Sequence, residues 1–394
     1  MKHSNDRLIE MLIIVVVSTI VGILGGGAFI YSLNNKTLKN NSISSISEID
    51  EIYSTIVEDY YDDIDKDKVI EGAISGMLSV LDEHTSYMNQ DATTSFNKRM
   101  NGEYYGIGIE ALTLEDEGVL VVSVMDSSPA KRSGIKENDV ILQINGESLK
   151  GKKAAYFTSI VEKTSEEIKL TIRRDKKEMN ISVLPEKVII ESVSIDKFNM
   201  NNKRVGYIKV SIFAANTASQ FANKLKDLEE GGIDSLIIDV RNNSGGYLSA
   251  ASTMLEMFMK KGSILYKTES KGSTTVKKDS TDEHRDYPIA VLINNSSASA
   301  SEILAASLKD NLNATLIGNT TYGKGTVQET VNVLEGSKVK ITTKKWLTPN
   351  GDWINKTGID PTIRVTLKDK YYENPIKDND NQLTTAIKVM SEQK

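Results

Sequence analysis

The sequence predicts a multidomain α/β protein: an N-terminal membrane helix, a helical segment, an inserted β-domain and an α/β core. Three patterns carry that prediction. Met11 to Ile30 contains no charged residue, and about 20 apolar residues suffice to span a bilayer. Between Gly102 and Val188, short apolar runs are separated by turn residues, the signature of a small β-domain. From Arg204 onward, strand-length apolar runs alternate with helix-period segments, which favours an open α/β core.

Composition narrows the function. The chain has 394 residues, long enough for two or three domains. Its net charge of −6 lacks the basic footprint that nucleic-acid binding requires. There is no cysteine, which excludes disulfides and thiolate metal sites. No cofactor or metal is implied. His84, beside Asp82 and Glu83, reads as a helix-end cap rather than a metal ligand.

The elements follow in order. Residues 1–33 form a cytoplasmic stub and a signal anchor, with the apolar stretch from Leu8 to Tyr31. A cleaved signal peptide is the rival, but the run is long and Gly25-Gly-Gly-Ala28 leads into Phe29 rather than a cleavage site. The anchor makes the protein a single-pass protein of a bacterial cell membrane with the domains that follow it outside. Residues 34–101 are a polar linker and a helical region, in which Ile49, Ile52, Tyr53, Ile56 and Tyr60 recur at helical spacing. A second helical pattern runs from Asp67 to Leu81. These helices are a packing or dimerisation element, which makes a homodimer possible.

Residues 102–188 form the β-domain, with strands at Gly118–Val124, Val140–Ile144, Ile168–Ile172 and Asn180–Leu184 and a helix near Lys153–Val161. Asn145-Gly146 between two apolar runs signals a tight hairpin. Residues 189–368 are the α/β core. Ser235–Val240 and Ile289–Ile293 are its buried strands, and Ala214–Leu228, Ala250–Phe258 and Ser299–Leu308 its helices. Residues 369–394 are charged and end in a helix, a C-terminal helical tail.

Three loops of the core carry the candidate chemistry, and each follows a buried strand, where open α/β sheets place ligands. Asp239-Val-Arg-Asn-Asn-Ser-Gly-Gly246 has glycines that let backbone N–H groups face a site. Ser299 stands at a helix start, where unpaired amides favour developing negative charge. Gly323-Lys-Gly325 lets a lysine approach closely. With no cysteine and no histidine in a catalytic setting, a hydroxyl nucleophile needs another base, and a buried lysine can serve. Lys324 must be neutral for this, and burial lowers a lysine's pKa from about 10.4 by as much as ~3–5 units. Gln328 is uncharged and can hold the amine without restoring its proton. Ser133-x-x-Lys136 and Ser337-x-x-Lys340 match another Ser–Lys pattern but fall in turn or strand settings.

These pieces resemble the carboxyl-terminal processing peptidases, or tail-specific proteases. The resemblance runs from about Ile49 to Val365. It includes Leu81-Asp-Glu-His-Thr-Ser-Tyr-Met88, Gly106-Ile-Gly108, Ser128-Pro-Ala with Gly134, and the three loops in Ser297-Ala-Ser-Ala-Ser-Glu-Ile303, Gly323-Lys-Gly-Thr-Val-Gln328 and the Asp239 motif. Leu347-Thr-Pro-Asn-Gly351 and Gly358-Ile-Asp-Pro361 complete it. The resemblance implies a PDZ domain inserted before a ClpP/crotonase-like core. It places the nucleophile on Ser299, the general base on Lys324 and its support on Gln328. The oxyanion donors would be the amides of Ala300 and of Gly245 or Gly246. It implies protein substrates, held at an exposed apolar carboxyl-terminal tail by the loop Tyr105, Gly106, Ile107 and Gly108. An arginine that many relatives carry after the PDZ helix, and that in some couples tail binding to the active site, has no counterpart in Ile160-Val-Glu-Lys-Thr-Ser165, so either tail binding does not gate this site or Lys163 or Arg132 takes that role. A non-catalytic adaptor, the rival of another class, would have lost the serine or the lysine.

Overall fold

The computed structural model describes residues 46–333 and 336–393. The expected membrane helix, Leu8 to Tyr31, lies outside the described residues. Among those described, no helix is long and apolar enough to cross a membrane. The chain divides into two compact units between Leu81 and Asp82. In the first, residues 46–59 are helical (α1) and Lys66–Ser79 form α2, as the periodicity predicts. Asp65 caps α2 by accepting the Lys68 N–H at 3.2 Å. Ile49, Ile52, Ile70 and Met77 on these helices are exposed.

The second unit opens with β1 (Ser86–Met88) and α3 (Gln90–Asn101). The sequence hides α3, because its segment buries only Thr93 and Met100 and so shows no apolar stripe. Next come β2 (Glu103–Gly106), β3 (Ile109–Leu114), β4 (Gly118–Val124), α4 (Pro129–Arg132), β5 (Val140–Ile144) and β6 (Glu147–Ser148). The expected hairpin joins β5 to β6 through Asn145 and Gly146, both at positive φ. Then follow α5 (Ala154–Lys163), β7 (Ile168–Arg174), β8 (Lys177–Val183) and β9 (Glu186–Ile189). The sheet runs β3-β4-β5-β7-β8, with β6 beside β5. Val119, Val121, Ile168, Leu170 and Ile172 point from it into one core with Phe157 and Val161 of α5. β9 pairs back onto β2, so the β-domain leaves and re-enters the chain at one place.

The core begins with β10 (Val193–Met200), β11 (Lys203–Val210), α6 (Thr217–Glu230), β12 (Ser235–Asp239) and α7 (Leu248–Glu256). It continues with β13 (Ile264–Ser270), β14 (Ser273–Lys278), β15 (Ile289–Ile293), α8 (Ala300–Leu312) and β16 (Thr315–Gly318). It ends with β17 (Thr326–Asn332), β18 (Lys338–Leu347), β19 (Ile363–Arg364), α9 (Asp369–Glu373) and α10 (Asn381–Glu392). One sheet has the order β10-β11-β12-β15-β16-β19 and is parallel from β11 onward. β12 and β15 are buried at every residue, as the apolar runs Leu236–Ile238 and Ile289–Ile293 predict. Helices α6, α7 and α8 contribute to the hydrophobic cluster on one face, with Phe221, Met254 and Leu304.

The other face corrects the sequence reading. The segment 369–394, expected as a charged C-terminal helical tail, ends in a helix, α10, that forms a layer of the core. Leu383, Ala386, Ile387 and Met390 of α10 lie one helical turn apart and pack on Val205, Ile237, Ala290 and Leu292. Without them the apolar second face of β11, β12 and β15 would meet water. A second sheet, β1-β18-β13-β14 with β17 also on β18, carries the strands that flank the candidate site.

Candidate active site

The three loops expected to carry the chemistry meet at one cleft of about 1410 Å³, which Ser299, Lys324, Gln328, Gly245 and Gly246 all line. Ser299 is the N-cap of α8 and sits at φ 55°, ψ −114°. A serine in that region is strained, and such conformations persist only where the surroundings hold them. Here the lacing is extensive. Ala298 N–H donates to Asn243 O at 3.1 Å, and Asn242 N–H to the Asn294 carboxamide at 3.0 Å. The structure also separates the three serines of the motif. Ser297 donates its hydroxyl to Val240 O and Ser301 donates to Asn243 O, each at 2.8 Å and fully buried. Ser299 is the one that lines the cleft.

Gly245 lies against this serine, since a Cβ on it would stand 2.9 Å from Ser299 Cβ and 3.2 Å from Ala300 N. Its own N–H donates to Asn243 Oδ1 at 2.9 Å. Around Gly246, the bonds Phe213 N–H to Gly245 O and Tyr247 N–H to Phe213 O leave the Gly246 amide out of both. Ala300 N–H is in the first turn of α8, where amides have no intrahelical acceptor.

Lys324 lies on the loop between β16 and β17. Trp346 Nε1 donates to its carbonyl at 2.7 Å, and Trp353 Nε1 to the carbonyl of Gly325 at 2.9 Å. Gly323 has φ 88°, and a Cβ on it would come within 2.8 Å of Gly358 N, so the loop needs a glycine there. Burial is the main influence holding the Lys324 amine below its ordinary pKa. The charge of Lys340 adds to it, while Glu302 and Asp82 pull the other way. Gln328 donates its amide hydrogens to Thr326 Oγ1 at 2.9 Å and Thr342 Oγ1 at 3.0 Å.

Three features were missed by the sequence reading. The fully buried Glu302 accepts four hydrogen bonds: from Ser299 N at 2.8 Å, Lys324 N at 2.9 Å, Gly323 N at 2.7 Å and Thr321 Oγ1 at 2.6 Å. One carboxylate thus ties the serine loop to the lysine loop. Burial pushes its pKa up, against the pull of those four donors. The only sequence signal was its place three residues after an N-cap serine, a capping-box spacing. Arg241 is the second. Its buried guanidinium bonds to both oxygens of Asp239 and of Asp380, and to Gln382 at 2.9 Å, while Tyr207 donates to Asp239 at 2.7 Å. Burial disfavours its charge, but Asp239 and Asp380 outweigh that and raise its pKa. This cluster fastens α10 to the loop carrying Gly245 and Gly246. His84 is the third: expected as a helix-end cap, it lines the cleft instead, and Asp82 does the local capping by accepting the His84 and Thr85 N–H groups at 2.8 and 3.0 Å. Among the described residues no cluster of histidine, aspartate and glutamate has a metal-holding arrangement.

In the β-domain, Gly108 at φ 79° packs against Ser128, the N-cap of α4. The carbonyls of Ile107 and Gly108 accept Ala130 and Met125 N–H groups at 2.8 and 2.9 Å. Among the described residues β3 pairs only with β4, which leaves its other edge open to them, and α5 runs near it, with Ala154 N–H donating to Thr113 at 2.8 Å. Arg132 is occupied by Ser127 O and Glu186, at 2.7 and 2.6 Å.

Comparison with known proteins identifies the family. Models of peptidase family S41, of the PDZ domain and of the activating protease CtpB N-terminal domain match residues 204–365, 105–184 and 30–92. The carboxy-terminal processing protease CtpB of Bacillus subtilis (strain 168) is 37% identical over 350 residues, 88% of this chain and 72% of that protein. CtpA of the same organism is 36% identical over 341 residues, 86% of this chain and 72% of that one. A putative S41 protease from Bacteroides fragilis shares the fold, with a TM-score of 0.51 at 16% identity over 84% of this chain and 98% of its own. The chain belongs to peptidase family S41, and is a carboxyl-terminal processing serine peptidase with a PDZ domain.

Proposed function

We propose that Ser299, Lys324 and Gln328 perform the hydrolysis. Neutral Lys324 takes the hydroxyl proton as Ser299 Oγ bonds to the peptide carbonyl carbon. The amides of Ala300 and Gly246 hold the resulting oxyanion, Gly245 being committed to Asn243. Lys324 returns the proton to the departing amine, and water, activated by the same lysine, then releases the acyl group. Gln328 holds the lysine. The observation that carries this reading is the shared cleft, which Ser299, alone of its motif's three serines, lines together with a half-buried lysine of lowered pKa.

The substrates are proteins or peptides with an exposed apolar carboxyl terminus. Tyr105, Gly106, Ile107 and Gly108 receive the carboxylate, and the tail adds as a strand to the open edge of β3 beside α5. The protein is held on a bacterial cell membrane by the uncharged run Met11 to Ile30, with its catalytic part outside. The exposed apolar residues of α1 and α2 support a homodimer. The test uses Ser299→Ala and Lys324→Ala against an unstructured protein ending in an apolar residue. Both variants should lose cleavage; wild-type cleavage by either one overturns the assignment.

A further inference from the structure

Gln328 can support Lys324 only if the correct end of its amide faces the amine. An amide oxygen accepts an N–H from lysine in either charge state, whereas an NH₂ group opposes the ammonium that forms when lysine takes a proton. Which end faces Lys324 is decided by hydrogen-bond polarity, starting at Asp82.

An ionised carboxylate only accepts. Asp82 Oδ1 accepts the His84 and Thr85 N–H groups and the Thr342 hydroxyl, the last at 3.2 Å; Oδ2 accepts the Thr85 hydroxyl, also at 3.2 Å. Burial disfavours its charge, but those donors outweigh burial and keep its pKa below the usual carboxylate value. A threonine hydroxyl has one hydrogen, and that of Thr342 goes to Asp82. Toward Gln328 the same oxygen can therefore only accept, so Nε2 must stand there, and it does at 3.0 Å. The other amide hydrogen goes to Thr326 Oγ1 at 2.9 Å. Both N–H groups are then committed, and the carbonyl oxygen is the end left for Lys324.

We infer that Asp82 is a positioning residue that acts through Thr342 to set the amide orientation of Gln328, and through it the Lys324 amine. The relay joins the loop before β1 to β17 across β18. Thr342 N–H also donates to Thr85 Oγ1 at 3.2 Å, which docks the Asp82 loop beside this strand. The inference rests on the role proposed above for Gln328.

The test measures kcat and KM with a quenched-fluorescent peptide ending in an apolar residue. Thr342→Val keeps the shape and removes the hydroxyl; it should lower kcat about 10–100-fold with KM changed by less than about twofold. Thr342→Ser, which keeps the hydroxyl, should recover kcat to within about threefold of the parent. Adding Thr342→Val to Gln328→Leu should slow the enzyme by no more than about twofold beyond Gln328→Leu alone, as expected of residues acting as a unit. Asp82→Ala, which removes the acceptor of the Thr342 hydroxyl and frees that hydrogen to point at Gln328, should reproduce the kcat loss and covers the case of a poorly folding Thr342→Val. Parental kcat in folded Thr342→Val, or losses that multiply in the double variant, overturns the relay. Ser299→Ala and Lys324→Ala run alongside. If they are inactive while Thr342→Val is fully active, the relay alone fails; if either cleaves like the parent, the underlying assignment fails with it.

Discussion

Replacing Glu302 by glutamine probes the joint between the two halves of the catalytic centre. The carboxylate accepts Thr321 Oγ1 and Gly323 N on one oxygen, and Ser299 N and Lys324 N on the other. Glutamine keeps one accepting oxygen and presents an NH₂ to the other pair of donors. Two hydrogen bonds to a charged acceptor are lost, each worth about 1.5–3 kcal/mol, so the variant should lose about 3–6 kcal/mol of stability. That is a large part of a total near 5–15 kcal/mol. In the molecules that remain folded, the serine and lysine loops are no longer tied to one acceptor. A misplacement of about 1 Å can cost about 100-fold in rate, and kcat should fall by at least that. The remaining activity carries a second signature. The Glu302 charge raises the Lys324 pKa, so a neutral glutamine lets the lysine lose its proton at lower pH. The acid limb of kcat/KM should move to lower pH. Urea unfolding followed by fluorescence, with pH–rate profiles on the peptide, checks both. Parental stability and kcat in Glu302→Gln refute this account of the site.

Other perturbations have directions that follow from the same geometry. Lys340 lowers the Lys324 pKa, so Lys340→Met should move the acid limb of kcat/KM to higher pH, opposite to Glu302→Gln. Lys324→Met should abolish turnover yet stabilise the fold by about 0.5–2 kcal/mol at neutral pH, as relief of functional strain often does. The native Lys324 pKa lies below its unfolded value of 10.5, so between the two the unfolded chain binds the extra proton and parental stability rises with pH. Chemical denaturation across that window should show a slope that Lys324→Met lacks. Arg241→Met leaves Asp239 and Asp380 buried without their cation. It should cost about 3–5 kcal/mol and loosen α10, read by hydrogen exchange of its amides.

Much of this molecule is legible in its residues. The strands Ser235–Asp239 and Ile289–Ile293 were readable because strands buried on both faces have near-continuous apolar runs, here Leu236–Ile238 and Ile289–Ile293. The Asn145-Gly146 hairpin was readable because that pair tolerates two positive φ angles. Helix α3 and strands β13 and β14 were not. Their residues are mostly polar or half-exposed, and β13 takes its place from a partner strand far along the chain, as Lys267 opposite Leu347 shows. The C-terminal segment looked like a charged tail because only four residues of one helical stripe mark it as a core layer.

The sequence by itself determined the chemistry on offer: a serine at a helix start, a lysine between glycines, glycine-rich amides nearby and no thiol. These are local matters, governed by side-chain type and by the φ angles that glycine permits. Tertiary structure alone decided how the groups are coupled. Glu302 gained its meaning when one loop brought Gly323 and Lys324, 21 and 22 residues on, to it. Asp82 gained its own when Thr342, 260 residues on, came within 3.2 Å. Hydrogen-bond polarity is a property of assembled neighbours, because a donor or acceptor has no direction until its partner is in place.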